Sequence, residues 1–171
     1  AMHLAQLDKR ARKLPWGDWL RPDLPVRVEA TCRKSRIYHN KAAAQRVETA
    51  IREGIGAPVA ADAALVVKVR IEDDLVTISL DTSGEALHKR GHKQAMGKAP
   101  MRETLAALFL RQVGFDGSQT VVDPMCGSGT FVLEAASIAR GLLPGRDRGF
   151  AFERLNGFDP VAFQRLKSAQ T

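Results

Sequence analysis

The sequence predicts two architectures in tandem, an α+β half followed by the opening of an α/β Rossmann-like fold. Three observations carry this. Residues 26–32, 65–71 and 76–80 alternate apolar and polar side chains at the two-residue period of half-buried strands, with a helical stretch between the first and the second. Residues 101–113 and 130–140 return to helical spacing. Between those helices the short apolar run 120–122 meets a glycine-rich turn that leads straight into the second helix, the strand–turn–helix opening of nucleotide-binding α/β folds.

Each element has a local reason. Leu4, Leu7 and Ala11 make residues 3–13 a helix with Lys9, Arg10, Arg12 and Lys13 on its other face, and Pro15 ends it. Trp16 and Trp19 are expected to anchor the following turn to a core rather than to stack on bases. In the first strand Val28, Ala30 and Cys32 share the inner face, which makes Cys32 a small core residue. Ala43, Val47, Ala50, Ile51 and Ile55 mark one face of a helix, and Gly54, Gly56 and Pro58 stop it. The acidic turn Glu72-Asp73-Asp74 joins the next two strands as a hairpin. A basic connection then runs to Pro100. In the 101–113 helix apolar residues stand on nearly every side, so it is expected to be covered on several of them. Beyond Gly141 the chain reads as loop and one terminal helix from Pro160.

The 171 residues are 44% hydrophobic and 26% charged, a globular balance with enough apolar side chains for a core. The longest apolar runs, such as residues 63–67, are too short to span a bilayer, and no export signal opens the sequence. Twenty-six Lys and Arg against nineteen Asp and Glu leave a net charge of +7, which favours polyanionic partners. Cys32 and Cys126 have no neighbouring thiols, so neither a disulfide framework nor a zinc site is expected; a reducing, cytoplasmic setting fits.

Asp123-Pro124-Met125-Cys126-Gly127-Ser128-Gly129-Thr130 is the most informative stretch. Gly127 and Gly129 permit positive φ and a close backbone approach, and the amides opening the next helix offer donors to an anionic or zwitterionic group. A phosphate loop is excluded because no Gly-Lys-Ser/Thr follows. The dinucleotide fingerprint fits only in part, since Val132 stands at its third glycine. At these residues the chain resembles the class I S-adenosylmethionine-dependent methyltransferases, in the branch whose first motif reads D-P-x-C-G-S-G-T. The segment 99–105, Ala-Pro-Met-Arg-Glu-Thr-Leu, resembles the A-P-L-R-E-T-L stretch upstream in the same branch, and residues 149–153 and 158–160 resemble segments beyond its first helix.

That resemblance implies S-adenosylmethionine as cofactor. Asp123 would sit near its ammonium. Pro100, Arg102, Glu103, Thr104, Pro124, Cys126, Gly127, Ser128, Gly129 and Thr130 would line its methionine end and ribose. The upstream half is similar to a THUMP domain: residues 80–84 and 87–91 look like its end and its junction with a guanine-N2 RNA methyltransferase, although His92 stands where an aromatic Tyr is usual. Residues 33–39 resemble the basic loop after the first THUMP strand. The expected fold class is thus an α+β THUMP-like domain followed by the first part of an α/β Rossmann-like class I methyltransferase domain, truncated. The expected bounds are 1–87 for the RNA-binding region, 88–100 for a basic linker and 101–171 for the methyltransferase part. The family's base-holding N/D-P-P-Y/F/W tetrapeptide occurs nowhere in the 171 residues, nor does the second strand with its ribose-binding acid. An internal fragment, inactive alone and prone to self-associate through its C-terminal, methyltransferase half, is the expectation.

Six basic residues face one acid between Arg27 and Arg46, and five face none between His88 and Arg102. Arg33, Lys34, Arg36, Tyr38, His39, Lys41, Lys89, Arg90 and Lys93 are the expected contacts to structured RNA, ribosomal or transfer. His88 and His92 stand at metal-ligand spacing, but the surrounding cations oppose a metal, and none is expected. Cys126 could be read as a cytosine-C5-type nucleophile; a small turn residue suits its place better. Glu134 and Glu153 are expected to be structural. The activity implied is methyl transfer to the exocyclic N2 of guanosine, driven by in-line alignment. The alternatives are an N6-adenine or N4-cytosine DNA methyltransferase, and a chain that only binds RNA.

Overall fold

The computed structural model describes residues 1–90 and 101–168, and these fall into two compact units, Ala1–Gly84 with Phe150–Phe158, and Glu85–Gly149 with Asp159–Thr171. In the first, α1 (Leu4–Ala11) and a 3-10 turn (Trp16–Asp18) precede β1 (Val26–Arg33), α2 (Asn40–Ile55) and the strands β2 (Leu65–Glu72) and β3 (Leu75–Leu80). The sheet order is β1-β2-β3. β1 runs parallel to β2, from Val26 opposite Leu65 to Arg33 opposite Glu72, and α2 is the crossover that a parallel pair requires. β3 returns antiparallel, from Glu72 opposite Leu75 to Val67 opposite Leu80. The hairpin is closed by two residues, Asp73 and Asp74, both at positive φ, the conformation whose twist matches the flanking strands.

Alternation decides what is buried. Leu65, Val67, Val69 and Ile71 of β2 lie in the core with Val26, Val28, Val47, Ala50 and Ile51, while Lys68 and Arg70 stay exposed. Cys32 is half-buried against this core, as its place on the inner face predicts. The two tryptophans separate. Trp16 is buried and its indole Nε1 donates to the Ala11 carbonyl at 2.8 Å, whereas Trp19 is largely exposed and does not anchor the turn. Residues 150–158 join this unit from far along the chain: the Phe152 amide donates to Thr82 O at 3.0 Å, the Asn156 side chain to Gly17 O at 2.7 Å, and Ala151 is buried. No local pattern signals that return.

The second unit contains α3 (Glu103–Gln112), α4 (Thr130–Ala139) and α5 (Pro160–Ser168). α3 packs on α4 around Leu110, Phe115 and Ala135, flanked by Val121, Phe131 and Ile138, and Phe109 stacks near Phe131 with ring centroids 6.3 Å apart. Two expectations need correcting. Residues 120–122 form no strand: a strand exists only as part of a ladder, no described residue pairs with these, and Val122 is 80% exposed. Among the described residues α3 is buried along one side, at Ala106 and Leu110 toward α4, and Leu105 and Leu108 are exposed.

At Gly117 (φ +101°) the loop after α3 touches α4 so closely that an added Cβ would lie 2.7 Å from the Ala139 Cα. Gly117→Ala is therefore expected to destabilise this unit by about 1–3 kcal/mol through backbone overlap and φ strain. Amide exchange reads it: protection in α4 should fall while that of β2 stays, and unchanged α4 protection would refute the contact.

Candidate cofactor turn and RNA-facing loop

The glycine turn is built by hydrogen bonds its own sequence supplies. Asp123 Oδ1 accepts from the Met125 amide at 3.1 Å, which bends the chain after Val122. Gly129 N then donates to Cys126 O at 2.7 Å, closing a second turn in which Gly127 has φ +55°. Gly129 itself is left-handed, φ +75°, and caps α4 with backbone alone; its carbonyl accepts from Leu133 N at 2.9 Å. Nothing lies within 4 Å of where a Cβ at Gly127 would project, so the backbone is bare on that side and a ligand can come up against it. Ser128 and Thr130 hydroxyls lie 3.4 Å apart and Thr130 is buried. This geometry fits the methionine end of S-adenosylmethionine: donors at a helix start, open space over a glycine, and Asp123 half-buried at the entrance.

Arg102 caps α3 from an exposed position, Glu103 is half-buried in its first turn where a carboxylate complements the helix dipole, and Thr104 is exposed. Pro100, His92 and Lys93 lie outside the described residues, so the His88–His92 pair is not described either. Cys126 is exposed and hydrogen-bonds no base; its sulfur approaches only the Gly127 carbonyl, at 3.9 Å. Among the described residues no group of three His, Cys, Asp or Glu is placed to hold a metal ion.

In the first unit the loop from β1 to α2 is pinned from below and charged above. Ile37 is buried; Ser35 Oγ accepts from Asp74 N at 3.0 Å and donates to Arg33 O at 2.7 Å; Asp74 Oδ1 accepts from Arg36 N at 2.8 Å; and Asn40 Oδ1 accepts from Cys32 N at 2.8 Å. The hairpin turn thus holds the loop's backbone, leaving Arg33, Lys34, Arg36, Tyr38, His39 and Lys41 exposed. Tyr38 and His39 rings lie 4.1 Å apart, and a hollow of about 220 Å³ opens beside them, lined also by His3 and Arg36. A larger cavity of about 590 Å³, lined mainly by apolar side chains of α1, β3, Trp16 and Trp19, was not signalled by any motif.

The basic stretch after Gly84 divides. Lys89 is exposed and pairs with Glu85 at 2.8 Å, and that lysine holds the Glu85 carboxyl below its usual range. Arg90, expected among the RNA contacts, turns its guanidinium inward to Glu134 at 2.7 Å, and its side chain is 8% exposed. A buried arginine already bound to a carboxylate has no face to offer RNA. Glu134, expected to be structural, is the residue that the sequence placed in α4 without showing its partner.

A glycine turn at positive φ thus opens a helix behind an acidic residue, on the same chain as a basic α+β unit. Comparison with known proteins then gives the family. Residues 1–81 match the THUMP domain and residues 90–170 match the domain described as RMKL-like, methyltransferase domain. The chain thus carries a THUMP domain followed by part of an RMKL-like methyltransferase domain. A protein of Vibrio campbellii named ribosomal RNA large subunit methyltransferase K/L is 44% identical over 103 residues, 60% of this chain and 15% of that protein. A Listeria monocytogenes structure described as a predicted N6-adenine-specific DNA methylase superposes with TM-score 0.86 at 29% identity, covering 99% of this chain and 47% of that one. The structure of SMU.472 complexed with SAH gives TM-score 0.85 at 26% identity, covering 99% and 47%. The chain therefore spans less than half the length of each.

Burial pushes the Cys32 thiol above its ordinary range, whereas Cys126 is exposed. Because the thiolate is the reacting form, iodoacetamide at pH 8 should modify Cys126 well before Cys32. Peptide mapping of partly alkylated protein checks this, and equal rates would contradict the exposed turn.

Proposed function

We propose that this chain is part of an S-adenosylmethionine-dependent RNA methyltransferase that forms N2-methylguanosine in structured RNA, ribosomal or transfer, in the cytoplasm. One observation carries the reading: a single chain holds both an exposed basic, aromatic loop on a THUMP unit and a bare glycine turn opening a helix. The cofactor supplies an electrophilic methyl group on sulfur. Asp123 would hold its ammonium, the amides of residues 128–130 its carboxylate, and the exposed loop would grip phosphates while Tyr38 and His39 stack on unpaired bases. Transfer to an exocyclic amine depends chiefly on holding amine and methyl in line, which asks for positioning more than for a strong base.

The 171 residues are expected to bind cofactor without turnover, since no N/D-P-P-Y/F/W tetrapeptide is among them. Calorimetry with S-adenosylhomocysteine should show one site, lost in Gly129→Val, and the ligand should slow alkylation of Cys126. Tritium transfer to unmodified RNA by this chain would overturn the inactive reading, and absence of binding would overturn the cofactor assignment. The Listeria relative's description favours a second reading, an N6-adenine DNA methylase. Mass spectrometry of nucleosides methylated by the longer protein separates them: N2-methylguanosine supports the first, N6-methyladenosine the second.

Phosphate contact by the loop predicts salt-dependent RNA binding, with a log–log slope of about −0.7 to −0.9 per contact. Lys34→Ala, Arg36→Ala and Lys89→Ala together should flatten that slope. An unchanged slope would make these charges solvated only.

A further inference from the structure

The Arg90–Glu134 pair stands apart from every other described ion pair. Its side chains are 8% and 2% exposed, whereas each of the others has a partner at least two-fifths exposed. Arg90 Nη1 donates to Glu134 Oε2 at 2.7 Å, and Arg90 Nε is buried with no hydrogen-bond partner among the described residues. Such a pair is a poor device for stability alone, because desolvating both ions costs about what their attraction returns, and apolar residues of similar volume commonly do as well. What it does supply is fixed geometry, since a planar guanidinium donating through Nη1 sets direction as well as distance.

Its place shows what that geometry holds. Glu134 lies four residues after Thr130, on the same buried stripe of α4, so the carboxylate hangs one turn below the residue that ends the glycine turn. α4 has no side-chain cap; Gly129 opens it with backbone alone, and its first turn has only packing to locate it. Phe131 and Ala135 fix the helix against α3, and neither controls rotation about the helix axis as a directed ion pair does. We propose that Arg90 is a positioning residue for the cofactor turn: through Glu134 it sets the rotation and depth of α4 and with them the amides of Gly129 and Thr130. The inference rests on the cofactor reading of that turn.

Calorimetry with S-adenosylhomocysteine on the full chain, beside thermal unfolding, tests it. Arg90→Met/Glu134→Leu removes both charges together and is expected to keep the wild-type unfolding midpoint while weakening the ligand about tenfold, as loss of placement without loss of fold should. Wild-type affinity in that variant would overturn the proposal and leave the pair as packing. Arg90→Lys keeps the charge and loses the planar, directed donor, and serves if the double variant does not fold: weaker binding at an unchanged midpoint supports positioning, and unchanged binding refutes it. Failure of the wild-type chain to bind would instead strike the cofactor assignment, a result told apart by its appearing before any substitution.

Discussion

Everything in the first unit hangs from β2. Leu65, Val66, Val67, Val69 and Ile71 are buried, β1 and β3 pair to its two edges, and the residues facing α2 close the core. Because β1 is parallel to β2, the chain must leave the end of β1, cross over and come back, and the basic loop 33–39 is the first piece of that crossing. The hairpin that ends β2 lies beside it, and Asp74 is thereby in place to hold the loop's backbone. One pairing choice therefore both builds the core and presents the cations.

The second unit rests on less. Two helices share a small apolar cluster, and the glycine turn sits between them as backbone, shaped by Asp123 and two glycines rather than by side-chain packing. Many apolar residues of α3 and of the run before the turn remain exposed.

Charge has two fates here, decided by burial. Arg36 and Lys34 stand out in water, where charge can meet phosphate; Arg90, as basic on paper, is drawn under α4 by Glu134. The same residue type is thus exposed in one unit and paired internally in the other.

The sequence by itself determined the three strands of the first unit, the helices, the hairpin and the glycine turn, because period two, period 3.6 and positive-φ demands are local and written in consecutive residues. Gly127, Gly129 and the pair Asp73-Asp74 adopt the left-handed conformations their positions ask for. The family was legible too, in the octapeptide at 123–130 and the basic loop. Tertiary structure decided the rest. A strand at 120–122 depends on a neighbour to pair with, exposure of α3 on how many elements cover it, and the burial of Trp16 over Trp19 on which side of a turn the core lies. The return of residues 150–158 and the turning of Arg90 to Glu134 join positions far apart in the chain. No periodicity encodes such pairs, since the energy that selects them is released only when distant surfaces meet.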